Sequence, residues 1–431
     1  MAILTDPKAQ AILQDAIIRK EELMEIEKSL EPFLDRYLPL FKRSEQREHA
    51  RLHVKGRLSR LTRKTSEPIA TNFGVRREQL QDFLGGSPWS DDDMLRAIRS
   101  HVFEVFPDAM GVVTGDGSGF PKKGAHSCGV QRQYCGHLGK VENCQIGIFL
   151  GYACRRGRLL LDHRLFLPKE WAQDEKRRQT TGVPGNVVYQ EAWQILLDLL
   201  DRCVGLPRSW FVADAEFGRV CAFRQGLRQR KERYVVDVPQ NLLIRDLQRP
   251  APLGPTNRQR KAPIIGIEQW EKECPKSAWE KYEIRGGEKG PLLVESAQSL
   301  VQTMDNKRLG KEQERLVVIR TSGAQEARTW YTLSNTGLEV PLADLVWAHG
   351  QRYWHEGCFQ QGKSEVGMDH YEVRGWRGWH HHMTMTTLTL WFLVLSRYQA
   401  KKNASDYPEY LARRAESDAG VRVADIGEDC E

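Results

Sequence analysis

Over the first hundred residues the apolar positions recur at helical spacing. The run from Pro7 to Leu30 is periodic and charged, and Arg47–Arg63 is basic and amphipathic. Val75–Phe83 precedes the turn Gly85-Gly86-Ser87-Pro88. Ser90 then opens another helix, with a capping hydroxyl followed by Asp91, Asp92 and Asp93 in the first turn. From residue 110 the pattern changes to short apolar runs. Gly111–Thr114 leads into Asp116, and Gln145–Cys154 and Leu159–Phe166 are separated by Arg155-Arg156-Gly157-Arg158, a hairpin signal. A helical segment, Tyr189–Cys203, precedes a short buried strand, Trp210–Ala213. A helix over Phe217–Arg230 and a strand over Tyr234–Val238 follow.

The order strand, strand, strand, helix, strand suits a ribonuclease H-like core, in which the first and fourth strands lie side by side and parallel. Asp116 and Asp214 then stand at neighbouring strand ends. Residues 239–340 turn irregular, rich in Pro, Gly, Lys and Arg, before strand-like runs return at Leu316–Arg320 and Thr329–Leu333. That stretch is too long for a structureless connection and reads as a mostly β insertion. The fold class expected is α+β/α/β: a helical DNA-binding domain over 1–105, the core over 106–238, the insertion over 239–340, the core's catalytic helix and its successor over 341–400, and a flexible tail over 401–431.

A third acid, Glu356, sits in the helical stretch HGQRYWHEGCFQQGKSEVG. His349, Arg352, Glu356 and Lys363 fall within an arc of roughly 60° at about 100° per residue, so they share one helix face. Carboxylates from separate elements suit a hard divalent cation such as Mg²⁺. Two such ions roughly 3.5–4 Å apart activate the attacking oxygen and stabilise the leaving oxygen of a phosphodiester. Arg352 and Lys363 would bind phosphates, one as a planar fork and the other as a point charge. The plain alternative is an exposed helix with an i,i+4 pair between Arg352 and Glu356.

Charge sharpens this picture. The chain of 431 residues carries 64 Lys+Arg against 57 Asp+Glu, a formal net charge of +7. The basic residues cluster at 42–64, 224–233 and 256–261, which favours a polyanionic partner. No apolar run is long enough to span a bilayer and the N-terminus lacks a signal pattern, so a cytoplasmic, nucleoid-associated protein without a membrane partner is expected. Nine cysteines without paired C-x-x-C spacing read as reduced thiols. The spacing of His126, Cys128, Cys135, His137 and Cys144 matches no standard zinc finger.

At GDGSGFPKKGAHSCGVQRQYCGHLGKVENCQ, WFVADAEFG and EGCFQQGKSEVGMDHYEVRGWRGWHHHM the chain resembles the DDE transposases of bacterial insertion sequences, in the group whose third motif is Y-x2-R-x3-E-x6-K. The resemblance runs from about 110 to 395. It implies Asp116, Asp214 and Glu356 as the metal-binding catalytic triad, with Mg²⁺ (Mn²⁺ as substitute) as cofactor. It also implies Arg352 and Lys363 as DNA-phosphate contacts, and a homodimer acting on paired terminal inverted repeats and target DNA. Three positions depart from the pattern: His349, expected among the DNA contacts because it can still hydrogen-bond a phosphate, replaces the motif's Tyr, and Gly117 and Gly357 follow acids where relatives often carry a second acid.

Other residues carry weaker expectations. Lys122 and Lys123 follow the first Asp closely enough to touch DNA. Trp330 has the shape to stack a displaced base, although a buried strand Trp is the commoner outcome. Trp376 and Trp379 are ambiguous in the same way. His380-His381-His382 reads as a surface cluster against DNA. The expected activity is an Mg²⁺-dependent transposase that cleaves element ends and joins the 3′-hydroxyl to target DNA. A catalytically weakened DNA-binding or targeting derivative, or a stand-alone nuclease, is the alternative.

Overall fold

The computed structural model describes residues 20–249, 262–285, 292–305, 307–322 and 327–403. It opens with helices α1 (Lys20–Asp35), α2 (Ser44–Leu58), α3 (Ser66–Phe73), α4 (Arg77–Gly85) and α5 (Asp91–Val105). Ser90 caps α5, its hydroxyl accepting the Asp93 N–H at 3.1 Å. That bond satisfies one of the amides that a helix start leaves unpaired. Strands β1 (Val112–Pro121), β2 (Gln131–Cys135), β3 (Lys140–Cys154) and β4 (Gly157–Leu165) follow. Next come α6 (Lys169–Gln173), α7 (Glu175–Thr181), α8 (Ala192–Asp201), β5 (Trp210–Ala213), α9 (Ala215–Gly218), α10 (Cys221–Gln229) and β6 (Tyr234–Asp237).

Pairing gives the core order β4-β3-β1-β5-β6. β3 runs antiparallel to β1 and β4, whereas β1, β5 and β6 are parallel. This mixed α/β layout is consistent with a ribonuclease H-like core. β1 does not stop at its acid, as the apolar run suggested. It continues to Pro121 because β3 keeps pairing with it, with Asp116 opposite Phe149, while β5 leaves after Gly115. β2 was not expected from the sequence, since its QRQYC alternation is mostly polar. The helix expected over Phe217–Arg230 is two helices, α9 and α10.

The region 239–340 is largely β where described, and it continues the core sheet. It contains β7 (Leu243–Asp246), β8 (Ile264–Gly266), α11 (Ile267–Glu273), β9 (Glu280–Arg285), β10 (Leu292–Asp305), β11 (Arg308–Leu309), β12 (Glu314–Thr321) and β13 (Thr329–Ser334). β13 pairs antiparallel with β6, and the sheet runs on through β12, β10, β7 and β8. Buried Glu314 at the start of β12 ties the extension to the core. Its carboxylate accepts from Arg224 Nε at 2.9 Å, Arg224 Nη2 at 3.1 Å, the Tyr234 hydroxyl at 2.5 Å and Thr303 Oγ1 at 3.1 Å.

Helices α12 (Leu342–Gln351), α13 (Tyr353–Val366) and α14 (Trp376–Asn403) complete the described chain. α14 packs on β4 and on α1, α2, α4 and α5. Its residues Trp391 and Phe392 share one hydrophobic core with Phe33, Phe106, Ile148, Leu161 and Leu199, so the N-terminal helices and the sheet are cemented by the same helix. His380, His381 and His382 are all buried on α14, which corrects the expected surface cluster. His381 places its two ring nitrogens 2.9 Å from the carbonyls of Leu84 and Trp89, and His382 contacts Arg57 at 2.9 Å. Trp379 is buried too, and Trp376 packs on the His380 ring.

The basic runs are also less available than their spelling suggests. In 42–64, Arg57 is buried and donates to the Val366 carbonyl and Thr386, Arg47 donates to the Phe41 carbonyl, and Arg51 and Lys55 pair with Glu31. In 224–233, Arg224 is spent on Glu314 and Arg230 on Asp201. The run 256–261 and the tail from 404 lie outside the described residues. These pairings remove much of the free charge that the sequence assigned to DNA.

Replacing Glu314 strands a buried guanidinium and a buried phenol. Glu314→Ala is expected to cost about 3–5 kcal/mol of folding stability. Chemical denaturation of both proteins would check it, and a loss below about 1 kcal/mol would show that the network does not hold the extension in place.

Candidate active site

Parallel pairing of β1 with β5 and of β5 with β6 brings three acids to one corner: Asp116 on β1, Asp214 just after β5, and Asp237 at the end of β6. Asp116 Oδ1 accepts the Gly117 N–H at 2.7 Å. Asp214 caps α9, with Oδ1 accepting from the N–H groups of Glu216 at 3.0 Å and Phe217 at 3.4 Å.

Glu356 arrives on α13. His355, its neighbour, is buried and lies 2.6 Å through Nδ1 from the Thr114 hydroxyl on β1, two residues before Asp116. Burial pushes this imidazole down to about 3, so it clasps the helix to the strand as a neutral ring. Gly151 on β3 makes the approach feasible: a Cβ there would stand 2.6 Å from Thr114 Oγ1 and 3.1 Å from His355 Nδ1.

The single helical stripe expected over 349–363 is interrupted at Arg352, which joins α12 to α13 through tightened turns, Arg352 N–H to the His349 carbonyl and His355 N–H to the Arg352 carbonyl. Arg352 consequently reaches inward. Its Nε lies 3.2 Å from Asp237 Oδ2 and its Nη1 3.4 Å from Glu356 Oε1. His349 Nε2 stands 3.1 Å from Asp237 Oδ1, yet neither atom completes a hydrogen bond. Asp237 was missed from the sequence because YVVDVPQ reads as an ordinary strand end. Its one signal was an acid closing an apolar run, the feature that also marks Asp214.

Electrostatics follow from this crowding. Burial, reinforced by the charge of Asp214, pushes the Asp116 carboxyl up to about 8, against the pull of Arg352. Burial raises Asp214 as well, again opposed by Arg352. Burial alone would lower the Arg352 guanidinium, but Asp237, then Glu356, Asp116 and Asp214, keep it protonated.

Hard oxygen donors carried to one corner by separate elements are a donor set that fits a divalent ion. The set is not closed around a centre. Among the described residues no three His, Cys, Asp or Glu side chains form a ready ligand cluster. Glu356, with its side chain 57% exposed, is turned toward Arg352.

The remaining expected residues lie farther out. Lys363 points to the far end of β1, its Nζ 5.5 Å from the Phe120 ring centre. Lys122 is half-buried, sits over the Tyr371 ring and donates to the Tyr371 carbonyl at 3.1 Å; Lys123 is exposed beside it. Lys122 lies six residue steps beyond Asp116, about 20 Å along the extended chain. Trp330 is half-buried against His349, with ring centres 5.6 Å apart. Cys128, Cys135 and Cys144 are buried thiols.

The family model described as "DDE superfamily endonuclease" matches residues 36–291. Over 107 residues the chain is 38% identical to the "Probable transposase for insertion sequence element IS701" of Microchaete diplosiphon. That alignment covers 23% of this chain and 28% of the relative's length. Among the described residues no helix is long and apolar enough to cross a membrane.

Two outcomes follow from the geometry. In metal-free protein the raised Asp116 carboxyl favours folding fully below the ordinary aspartate range, and that contribution is lost as pH rises through about 8. Thermal melts with a chelator should therefore show wild type weakening across that window and Asp116→Asn staying flatter; parallel curves would contradict the shift. Asp237→Asn leaves Arg352 with Glu356 as its principal partner. Calorimetric titration should then show Mn²⁺ affinity lowered by about 10-fold or more, and unchanged affinity would show that Asp237 does not set the position of Arg352.

Proposed function

The chain belongs to the DDE superfamily endonucleases, and on that premise we propose that it is a DNA transposase whose centre is Asp116, Asp214 and Glu356. The observation that carries this reading is the parallel pairing of β1 with β5, which carries Asp116 and Asp214 to one corner, and the His355–Thr114 contact, which fastens to β1 the helix that bears Glu356. The partial likeness to a probable transposase supports the same reading.

Asp116, Asp214 and Glu356 would hold divalent cations, Mg²⁺ with Mn²⁺ as substitute. Bound there, such ions supply Lewis-acid activation of the attacking oxygen and stabilisation of the leaving one. The chain's own groups do the rest. Asp116, whose carboxyl burial raises, would have to give up its proton to hold a cation. Arg352, which lies against Asp237 and Glu356, would present a guanidinium edge to the scissile phosphate, where a planar fork suits two oxygens. His349 lies buried beside Asp237. Lys363 and Lys123, along the line of β1, contact phosphates away from the cleavage point, and the half-buried Lys122 steadies that end of the strand.

Water is the first nucleophile. It attacks phosphorus, the P–O3′ bond breaks, and the element's 3′-hydroxyl is freed. That hydroxyl then attacks a phosphodiester of target DNA, so that a new P–O bond joins the element to the target while the target's own P–O3′ bond breaks and its 3′-oxygen leaves, taking up the proton as a hydroxyl. A homodimer on paired inverted repeats would present both ends together.

The test is incubation of the full chain with Mg²⁺ and DNA carrying the inverted repeats that flank its gene. Wild type should cut at the repeat ends, while Asp116→Asn, Asp214→Asn and Glu356→Gln each lose about 10³-fold or more, as expected when several kcal/mol of metal-borne stabilisation disappear. Tight binding of the ends without cleavage in either Mg²⁺ or Mn²⁺ would overturn the enzymatic reading in favour of a DNA-binding derivative.

A further inference from the structure

Between residues 66 and 85 two short helices are joined by three residues. α3 ends at Phe73, and Gly74 takes the left-handed conformation at φ 66°, its N–H donating to the Thr71 carbonyl at 3.3 Å while the Val75 N–H donates to that of Ala70 at 3.0 Å. Only a glycine accepts that conformation at little cost. α4 starts at Arg77, so the pair has the short, glycine-bearing connection of a helix-turn-helix. Its inward side chains agree: Leu52 of α2 clusters with Ile69, Ala70 and Leu80, and Phe73 and Val75 pack against that cluster. Gly56 on α2 permits the close crossing, since a Cβ there would stand 2.6 Å from Ile69 Cγ2.

α4 is also held from behind. Leu80, Phe83 and Leu84 are buried, the His53 ring stacks on Phe83 with centres 5.3 Å apart, and a ring nitrogen of His381 on α14 lies 2.9 Å from the Leu84 carbonyl. The helix is thereby fixed to α14, which packs on β4 of the core sheet. Its other face is polar. Arg77, Glu78, Gln81 and Asp82 are exposed there, within an arc of roughly 140° at about 100° per residue. Arg77 pairs with exposed Glu67 and Glu78, at 3.7 and 3.1 Å, contacts that a stronger partner displaces at little cost.

We propose that this helix-turn-helix docks on duplex DNA with α4 in the major groove, where Arg77 and Gln81 read base edges of the element's terminal repeat; the assignment rests on the transposase reading. Arg77 and Gln81 stand one turn apart, about 6 Å along the axis, a separation of about two base-pair steps. An arginine fork matches O6 and N7 of guanine, and a glutamine amide matches N6 and N7 of adenine. Glu78 and Asp82 beside them can accept from a base amino group such as N4 of cytosine, and they repel phosphates. A face of one cation and two acids is not held by backbone attraction and is suited to discriminate sequence. Exposed Arg76, just before α4, and exposed Thr71 and Asn72, in the last turn of α3, are placed to take the flanking phosphates.

The experiment is binding of the full chain to two fluorescein-labelled duplexes, one carrying the inverted repeat that flanks its gene and one of random sequence, read by anisotropy in a chelating buffer over a salt series. Wild type should prefer the repeat by about 10³-fold. Arg77→Ala and Gln81→Ala, at exposed positions where no core is emptied, should each bind the repeat about tenfold more weakly and the random duplex within about twofold of wild type. Arg76→Ala should weaken both duplexes alike and lower the salt slope by about 1. Equal binding of both duplexes by wild type, or Arg77 and Gln81 variants that keep the full preference for the repeat, would overturn the assignment to α4 and leave the transposase reading standing. Failure of wild type to bind either duplex at low salt would overturn the transposase reading beneath it.

Discussion

Four carboxylates in one partly desolvated corner repel one another, and Arg352 is the cation that lets them coexist. Asp237 and Glu356 each approach its guanidinium, at 3.2 and 3.4 Å, and Asp116 and Asp214 feel its field. The arrangement is stable only as a compromise. Burial and the neighbouring acid push the Asp116 carboxyl up to about 8, and Glu356 is paired with the arginine. A corner built this way has an appetite for added positive charge, because a divalent ion relieves the same repulsion more completely than one half-shared guanidinium.

The rest of the fold serves the position of that arginine and its acids. Strand register fixes Asp116 one residue beyond the last β5 partner, and the same sheet delivers Asp237 one strand further on. β6 is braced on its outer side by β13, and Arg224, Glu314, Tyr234 and Thr303 bind that extension to the core. α13 is set by His355 on Thr114, and α14 packs the N-terminal helices against the same sheet. A disturbance in 239–340 is therefore felt at Asp237 through its strand, not across a hinge.

The part of this legible in the sequence was the part written in apolar runs. Trp210–Ala213 and the acids at 116 and 214 were visible because buried parallel strands are continuous hydrophobic stretches. The extension was legible only as mostly β, because strands such as Leu292–Asp305 mix Ser, Gln and Glu among apolar residues and pair within a sheet whose partners lie far along the chain. α14 hid its buried face for a different reason. It is covered nearly all round, and its His and Thr side chains satisfy themselves on backbone, as Thr386 does on the His382 carbonyl and Thr389 on that of Met385. Polar spelling suggested surface where the fold has core. Charge misled similarly, since pairing such as Arg51 with Glu31 or Arg224 with Glu314 cannot be read from clusters along one segment.

The central claim is that a divalent cation takes the place at the carboxylates that Arg352 now shares. Anomalous scattering from crystals of the full chain grown with Mn²⁺ addresses it directly. The account predicts a metal peak bounded by Asp116, Asp214 and Glu356, with the Arg352–Glu356 pair broken and the Arg352–Asp237 pair kept. Saturating Mn²⁺ bound elsewhere, with Arg352 still paired to Glu356, would contradict it.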